Sequence, residues 1–324
     1  MSENKFRIVL TDYRYESIQP FFDIYNQYSD VEFVPMQLHT KEDIMRETEF
    51  ADAVQCHFEK LDVDVIKNLK RCRVIARSAV GVDNIDLNAA NEMKIPVANV
   101  PDYCIEEVSN HVMLLILNCA KKFNLLEQAA KKGTWDYSVV KPVHAIRDQT
   151  LGLVGCGNIA RGIIAKAKAF GMNVIGYDPF LPEETFEKFG IKRYNHLDNL
   201  LAVSDFVNLQ LHHDASTDKM VNLDFLRKMK PTAYLINTAR GGLVNEEDLA
   251  DAIRNGIIGG AGLDVLSSEN IPADHPLLQF DNVIVTPHAA WYTEEAMYTL
   301  LTSTAKEVVR VLHGEHLIHQ VNHF

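Results

Sequence analysis

The sequence predicts an α/β fold built as two domains, each around a parallel sheet. Three observations carry this reading. Short β-branched runs alternate with helical stretches over the first hundred residues, a long helical segment follows, and the alternation then resumes. The chain has 324 residues, more than one core usually sustains, since single cores stop growing at about 250 to 300 residues.

In the first part, Arg7–Leu10, Glu32–Val34, Ala53–Cys56, Val74–Ser78 and Val97–Val100 read as strands, and 15–27, 41–48, 62–69 and 86–93 as helices. From Cys104 to Lys132, Val108, Val112, Leu115 and Leu126 fall on more than one helical face. That pattern fits one long helix between domains or two helices broken near Asn124, ended by Gly133 and Thr134. The second alternation has strands at Thr150–Val154, Asn173–Tyr177, Phe206–Leu211, Ala233–Ile236, Gly262–Val265 and Val283–Thr286. Helices are expected near 159–170, 197–202, 222–229 and 246–255, and a last one over Thr293–His313 whose pattern suits either domain.

Composition excludes several classes. With 32 Lys plus Arg against 44 Asp plus Glu the formal charge is -12, which opposes a general role in holding nucleic acid. A small anionic substrate then requires a local group of arginines. The apolar runs Val112–Leu117 and Ile257–Val265 are too short to span a bilayer. Five scattered cysteines, with no basic-then-apolar leader at the first residues, suggest neither a disulfide framework nor a CxxC metal knuckle, and a cytoplasmic location is expected. His313, His316, His319 and His323 read as a solvated end rather than a metal site, and no metal is expected.

The most informative run is Thr150 to Ala160, which leaves a strand and opens a helix. Gly155 suits the tight turn, and Gly157 lets backbone approach a pyrophosphate at the helix N-terminus, where Asn158 and Ile159 offer N–H groups. Ala160 takes the third position. Seventeen residues separate Ala160 from Asp178 at the end of the next strand. A carboxylate there accepts from the ribose hydroxyls of NAD(H) and repels the extra phosphate of NADP, so a Rossmann-type domain preferring NAD(H) is expected.

With this fingerprint stand Leu235-Ile236-Asn237-Thr238-Ala239-Arg240-Gly241-Gly242, Gly260-Ala261-Gly262-Leu263-Asp264-Val265 followed by Glu269, and Thr286-Pro287-His288. Carrying these four signatures in order, the chain resembles the D-2-hydroxyacid dehydrogenase family over essentially its full length. The resemblance implies a Rossmann-type NAD-binding domain, 101–292, inserted in a flavodoxin-like substrate domain, 1–100 plus 293–324. It also implies Arg240 as the group that clamps a substrate carboxylate, His288 as the proton-transfer group, and Glu269 as the acid that fixes its tautomer. The chemistry agrees: a guanidinium offers a planar fork to a carboxylate, and an imidazole exchanges a proton with the neighbouring oxygen. His212, Thr238 and Asp264 are implied as cofactor contacts, Asp264 near the nicotinamide carboxamide. At His213-Asp214-Ala215-Ser216 the chain departs from the proline-containing turn common in the family.

In the first domain, the loop after Arg77 implies Val80 and Gly81 as backbone donors to the substrate carboxylate, although Ala79 replaces a usual glycine. Arg77, with Pro287-His288-Ala289-Ala290-Trp291, is similar to the C-terminal-binding-protein branch, where Trp291 would form an apolar pocket wall. The expected activity is interconversion of a small 2-keto acid and its D-2-hydroxy acid in a cleft that closes between lobes, by a homodimer joined through the NAD lobe and 104–145. D-3-phosphoglycerate oxidation is the alternative within catalysis. An NAD-sensing dimeric peptide-binding module is the alternative outside it.

Overall fold

A computed structural model describes residues 5–324, which divide into two compact units. One contains the described residues up to Cys104 together with Thr293–Phe324, and the other is Ile105–Tyr292. The first runs β1 (Phe6–Leu10), α1 (Gln19–Tyr25), β2 (Val31–Pro35), α2 (Lys41–Thr48), β3 (Ala53–Cys56), α3 (Val63–Asn68), β4 (Val74–Arg77), α4 (Leu87–Glu92) and β5 (Val97–Ala98). The second begins with α5 (Ile105–Lys121) and α6 (Phe123–Lys131), then β6 (Thr150–Val154), α7 (Asn158–Ala169), β7 (Asn173–Tyr177), α8 (Glu183–Phe189) and β8 (Lys192–Arg193). It continues through α9 (Leu197–Val203), β9 (Phe206–Leu209), α10 (Leu223–Arg227), β10 (Tyr234–Asn237), α11 (Glu246–Arg254), β11 (Gly260–Leu263) and β12 (Val283–Val285). The chain then returns to the first unit as α12 (Glu294–Leu312).

Both sheets are parallel. The first has order β2-β1-β3-β4-β5, the flavodoxin-like arrangement, and the second β12-β11-β10-β9-β6-β7-β8, the Rossmann order with one further strand. Parallel strands need crossovers that cover both faces, so central strands are buried along their length rather than alternating. Ala53–Cys56 and Phe206–Leu209, for instance, are buried at every position. In the first unit Val9, Val54, Ile75 and Val97 pack with Ile44, Val65 and Ile66, and α12 lies on α1 and β4.

Helix starts follow side-chain chemistry. Thr40, Asp62, Asp86, Asn222, Asn245 and Thr293 each accept from a backbone N–H of the first turn they cap, satisfying donors a helix leaves unpaired. The segment from Cys104 is two helices. Lys122 takes a left-handed φ of 50° between them, and α6 contains no buried residue, so Leu126 lies outside the core. The strand expected over Gly262–Val265 lies two residues earlier, because Gly260–Leu263 pairs with Tyr234–Asn237 and Asp264 leaves the ladder. The first unit keeps Asn99 and Val100, whose side chain and N–H bond Val80 and Ala79 carbonyls, so the chain crosses at Cys104 rather than after Val100. Among the described residues no helix is long and apolar enough to cross a membrane.

Burial pushes the Cys56, Cys119 and Cys156 thiols up from 9.0 to about 12. Their contribution to stability is complete below the unfolded value near 9 and is lost as pH rises through about 12. At mildly alkaline pH the folded chain is expected to resist iodoacetamide at these three sites. The urea-unfolded chain is expected to take label at all five cysteines, read by mass spectrometry.

Candidate functional site

In a parallel sheet every strand delivers its C-terminal end to one edge, and in the second unit β6 is the strand at which the order reverses. The turn after β6 holds Gly155 at φ 90°, where an added Cβ would lie 2.3 Å from the Gln210 carbonyl oxygen. At Gly157, the N-cap of α7, a Cβ would meet nothing within 4 Å. Backbone there is open to a ligand at the amino end of a twelve-residue helix, while Ala160 is fully buried against the sheet.

Asp178 follows β7, and its Oδ2 accepts from the Cys156 N–H at 3.0 Å while Oδ1 accepts from the Phe180 N–H at 3.0 Å. The acid is therefore held against the glycine turn, with lone pairs left for a ribose. These features fit an adenine dinucleotide: an open pyrophosphate cradle, a helix N-terminus and a fixed carboxylate at the next strand end. His212 is exposed, and Thr238 is buried with its hydroxyl accepting from Gln210 Nε2 at 2.9 Å.

Arg240 leaves β10 on a backbone pinned by a buried Asn237, whose amide donates to the Arg240 carbonyl and whose oxygen accepts from the Ala239 N–H. The guanidinium Nη1 bonds the Ala239 carbonyl at 2.8 Å and is partly exposed. His288 adopts φ 52°, a left-handed conformation that costs a non-glycine residue about 1 kcal/mol or more. Its N–H bonds the carbonyls of Asp264 at 2.8 Å and Thr286 at 3.0 Å, which hold that conformation. Its Nδ1 stands 3.1 Å from Glu269 Oε1. A carboxylate only accepts, so Nδ1 carries the hydrogen and Nε2 is left to exchange a proton.

Asp264 follows β11, just outside its ladder. Its side chain is buried, with Oδ1 accepting from the Thr286 hydroxyl at 2.6 Å and the Ala289 N–H at 2.9 Å, and Oδ2 from the Ala290 N–H at 2.9 Å. It thereby shapes the turn that presents His288. His111 on α5 joins this network through Thr286 Oγ1 at 2.9 Å. Sequence reasoning missed His111, Gln210 and Asn237. His111 and Gln210 act by hydrogen bonds to residues 175 and 28 positions away, for which no local motif exists, while Asn237 acts within three residues inside the run that ends at Arg240. Trp291 is partly buried and meets Tyr292 edge to face at 5.6 Å.

The first unit carries its own edge. Arg77 ends β4 with Nε donating to the His57 carbonyl at 3.1 Å and Nη1 3.6 Å from Asp83, so part of its charge is matched locally. Val80 and Gly81 are partly exposed, and Ala79 is not among the residues with positive φ, so the loop forms without glycine there.

Residues 113–290 match the D-isomer specific 2-hydroxyacid dehydrogenase, NAD binding domain, family. The chain is similar to the D-3-phosphoglycerate dehydrogenases of Methanocaldococcus jannaschii, 38% identical over 85% of this chain and 52% of that protein, and of Archaeoglobus fulgidus, 34% identical over 87% and 54%. It spans about half the length of these curated relatives. Among solved structures it is similar to a D-lactate dehydrogenase of Aquifex aeolicus complexed with NAD and lactic acid, with TM-score 0.86, 28% identity and 95% and 96% of the two chains covered. It is also similar to an NADPH-dependent glyoxylate/hydroxypyruvate reductase of Sinorhizobium meliloti in complex with NADP and malonate, with TM-score 0.86, 26% identity and 97% and 96% covered. The glycine turn, the carboxylate after β7 and the match over 113–290 together make this chain a member of the D-isomer specific 2-hydroxyacid dehydrogenase family, with an NAD-binding domain of Rossmann type.

Proposed function

We propose that the chain reduces a small 2-keto acid to the D-2-hydroxy acid, and catalyses the reverse oxidation, with NAD(H). The observation that carries this reading is the His288–Glu269 pair at 3.1 Å, set on the same sheet edge as the glycine turn and Asp178. When bound, the nicotinamide supplies or accepts the hydride at the carbon next to the carboxylate. Arg240 holds the carboxylate and polarises the adjoining carbonyl. His288, protonated, donates from Nε2 to the developing alkoxide in reduction, and as neutral imidazole takes the hydroxyl proton in oxidation. Glu269 keeps the ring in the required tautomer, and Trp291 lines the side-chain pocket. Asn158 and Ile159 N–H groups, with His212 and Thr238, contact the dinucleotide.

Arg77, Val80 and Gly81 are assigned to the substrate carboxylate, with 1–100 plus 293–324 as the substrate domain. The five cysteines, free in the structure, suit a reducing cytoplasm. A homodimer is supported by a run of exposed apolar side chains, Phe123, Trp135, Tyr137 and Val139 at 59%, 94%, 73% and 45% exposure, along a segment that buries almost nothing in its own unit. The likeness to phosphoglycerate dehydrogenases favours a second substrate reading, a 3-phosphorylated hydroxy acid.

An NADH absorbance assay over pyruvate, hydroxypyruvate, phenylpyruvate, branched 2-keto acids and 3-phosphohydroxypyruvate separates the two readings. No turnover of any despite NAD binding would reject both. His288→Ala is expected to bind NAD as the parent does while turnover falls about 100-fold or more. In Asp178→Ala the kcat/KM preference for NAD over NADP is expected to drop about tenfold or more, and an unchanged ratio would remove Asp178 from ribose recognition. Light scattering is expected to give twice the chain mass for the parent and the monomer mass for a Trp135→Glu, Tyr137→Glu double variant.

A further inference from the structure

Glu246 opens α11, where any acid complements the helix dipole, yet its side chain reaches well beyond the helix. Oε1 accepts from the Ser267 N–H at 2.5 Å, and Oε2 lies 3.2 Å from His275 Nε2. The His275 Nδ1 accepts from the Leu277 N–H at 3.3 Å, so Nε2 carries the hydrogen and points it at Glu246. Ser267 and His275 are the two feet of the loop whose interior carries Glu269. The first foot is also pressed against the residue after Arg240, since a Cβ on Gly241 would lie 2.0 Å from the Leu266 carbonyl carbon.

The contrast in exposure is informative. The Glu246 and His275 side chains are each 15% exposed, while Glu269 and His288 are 50% and 44% exposed. A half-exposed ion pair contributes little by its own attraction, because water screens it and two flexible side chains must be ordered. The 3.1 Å contact on His288 Nδ1 therefore depends on where the loop backbone is held.

We propose that Glu246 is a positioning residue, a carboxylate staple whose two oxygens fix both feet of the 267–275 loop and so keep Glu269 on His288. The inference rests on the Glu269–His288 reading given above and adds the part that maintains it. A carboxylate is required, because both contacts are donors. A glutamine at 246 has one accepting oxygen and leaves one foot facing an amide N–H.

Ring-nitrogen NMR of the ¹⁵N-labelled protein in mildly alkaline buffer reads the tautomer of each neutral imidazole, and the His288 signal is identified by its loss in His288→Gln. The parent is expected to show the Nδ1–H form. Glu269→Ala is expected to lower that fraction about twofold or more. Glu246→Gln and Glu246→Ala are expected to do the same, with no further change when combined with Glu269→Ala. Glu247→Gln, in the same first turn of α11 but exposed, is expected to leave the signal alone. His275→Ala, which releases only the second foot, is expected to move it in the same direction and serves if position 246 tolerates no change. Parent-like signals in the folded Glu246 and His275 variants, where Glu269→Ala does shift, would overturn the staple alone. An unshifted Glu269→Ala would overturn the pair and the staple together.

Discussion

A buried carboxylate must have its oxygens satisfied, and at Asp264 that requirement organises the candidate site. With 1% exposure, its oxygens take the Thr286 hydroxyl and the Ala289 and Ala290 N–H groups, all from one turn. The turn can reach because β11 and β12 are neighbours and Leu263 pairs with Val285, so the residues after each strand emerge side by side. His288 is then held in a backbone conformation it would otherwise avoid. The sheet register thus fixes where an imidazole stands, through a charge that solvent barely touches.

Much of the fold is legible in the sequence because its signals are local. Glycine and alanine at 155, 157 and 160 and the acid at 178 fall within one strand-helix-strand unit, and capping residues such as Thr40 and Asn245 act within three residues of where they stand. The alternation of apolar strands and helices separates two parallel sheets for the same reason. What sequence does not disclose is set by partners far along the chain. The break expected near Asn124 stays one of two sequence readings, because it falls at Lys122, a left-handed residue with no glycine to announce it. The short pair α8 and β8 carries too few residues for a period to show.

The site divides along the same line. Arg240, Glu269 and His288 stand in recognisable runs, whereas His111, Glu246 and His275 have partners 175, 21 and 29 residues away. Charge tells a similar story. The chain is acidic overall, and Arg77 is partly matched by Asp83, so attraction of an anion by the whole-protein field is weak and recognition falls to short-range hydrogen bonds.

The return of α12 to the first unit bears on how the chain acquires its structure during synthesis. Residues 105–292 form an unbroken stretch and can complete their sheet as soon as they emerge. The first sheet is made earlier but stays uncovered on one flank until α12 reaches α1 and β4, and until the Asn322 side chain accepts the Val97 N–H at 2.7 Å. The sheet of residues 6–98 therefore waits for residues 293–324, and a nascent chain stalled before them exposes apolar surface that only a chaperone or rapid completion would shield.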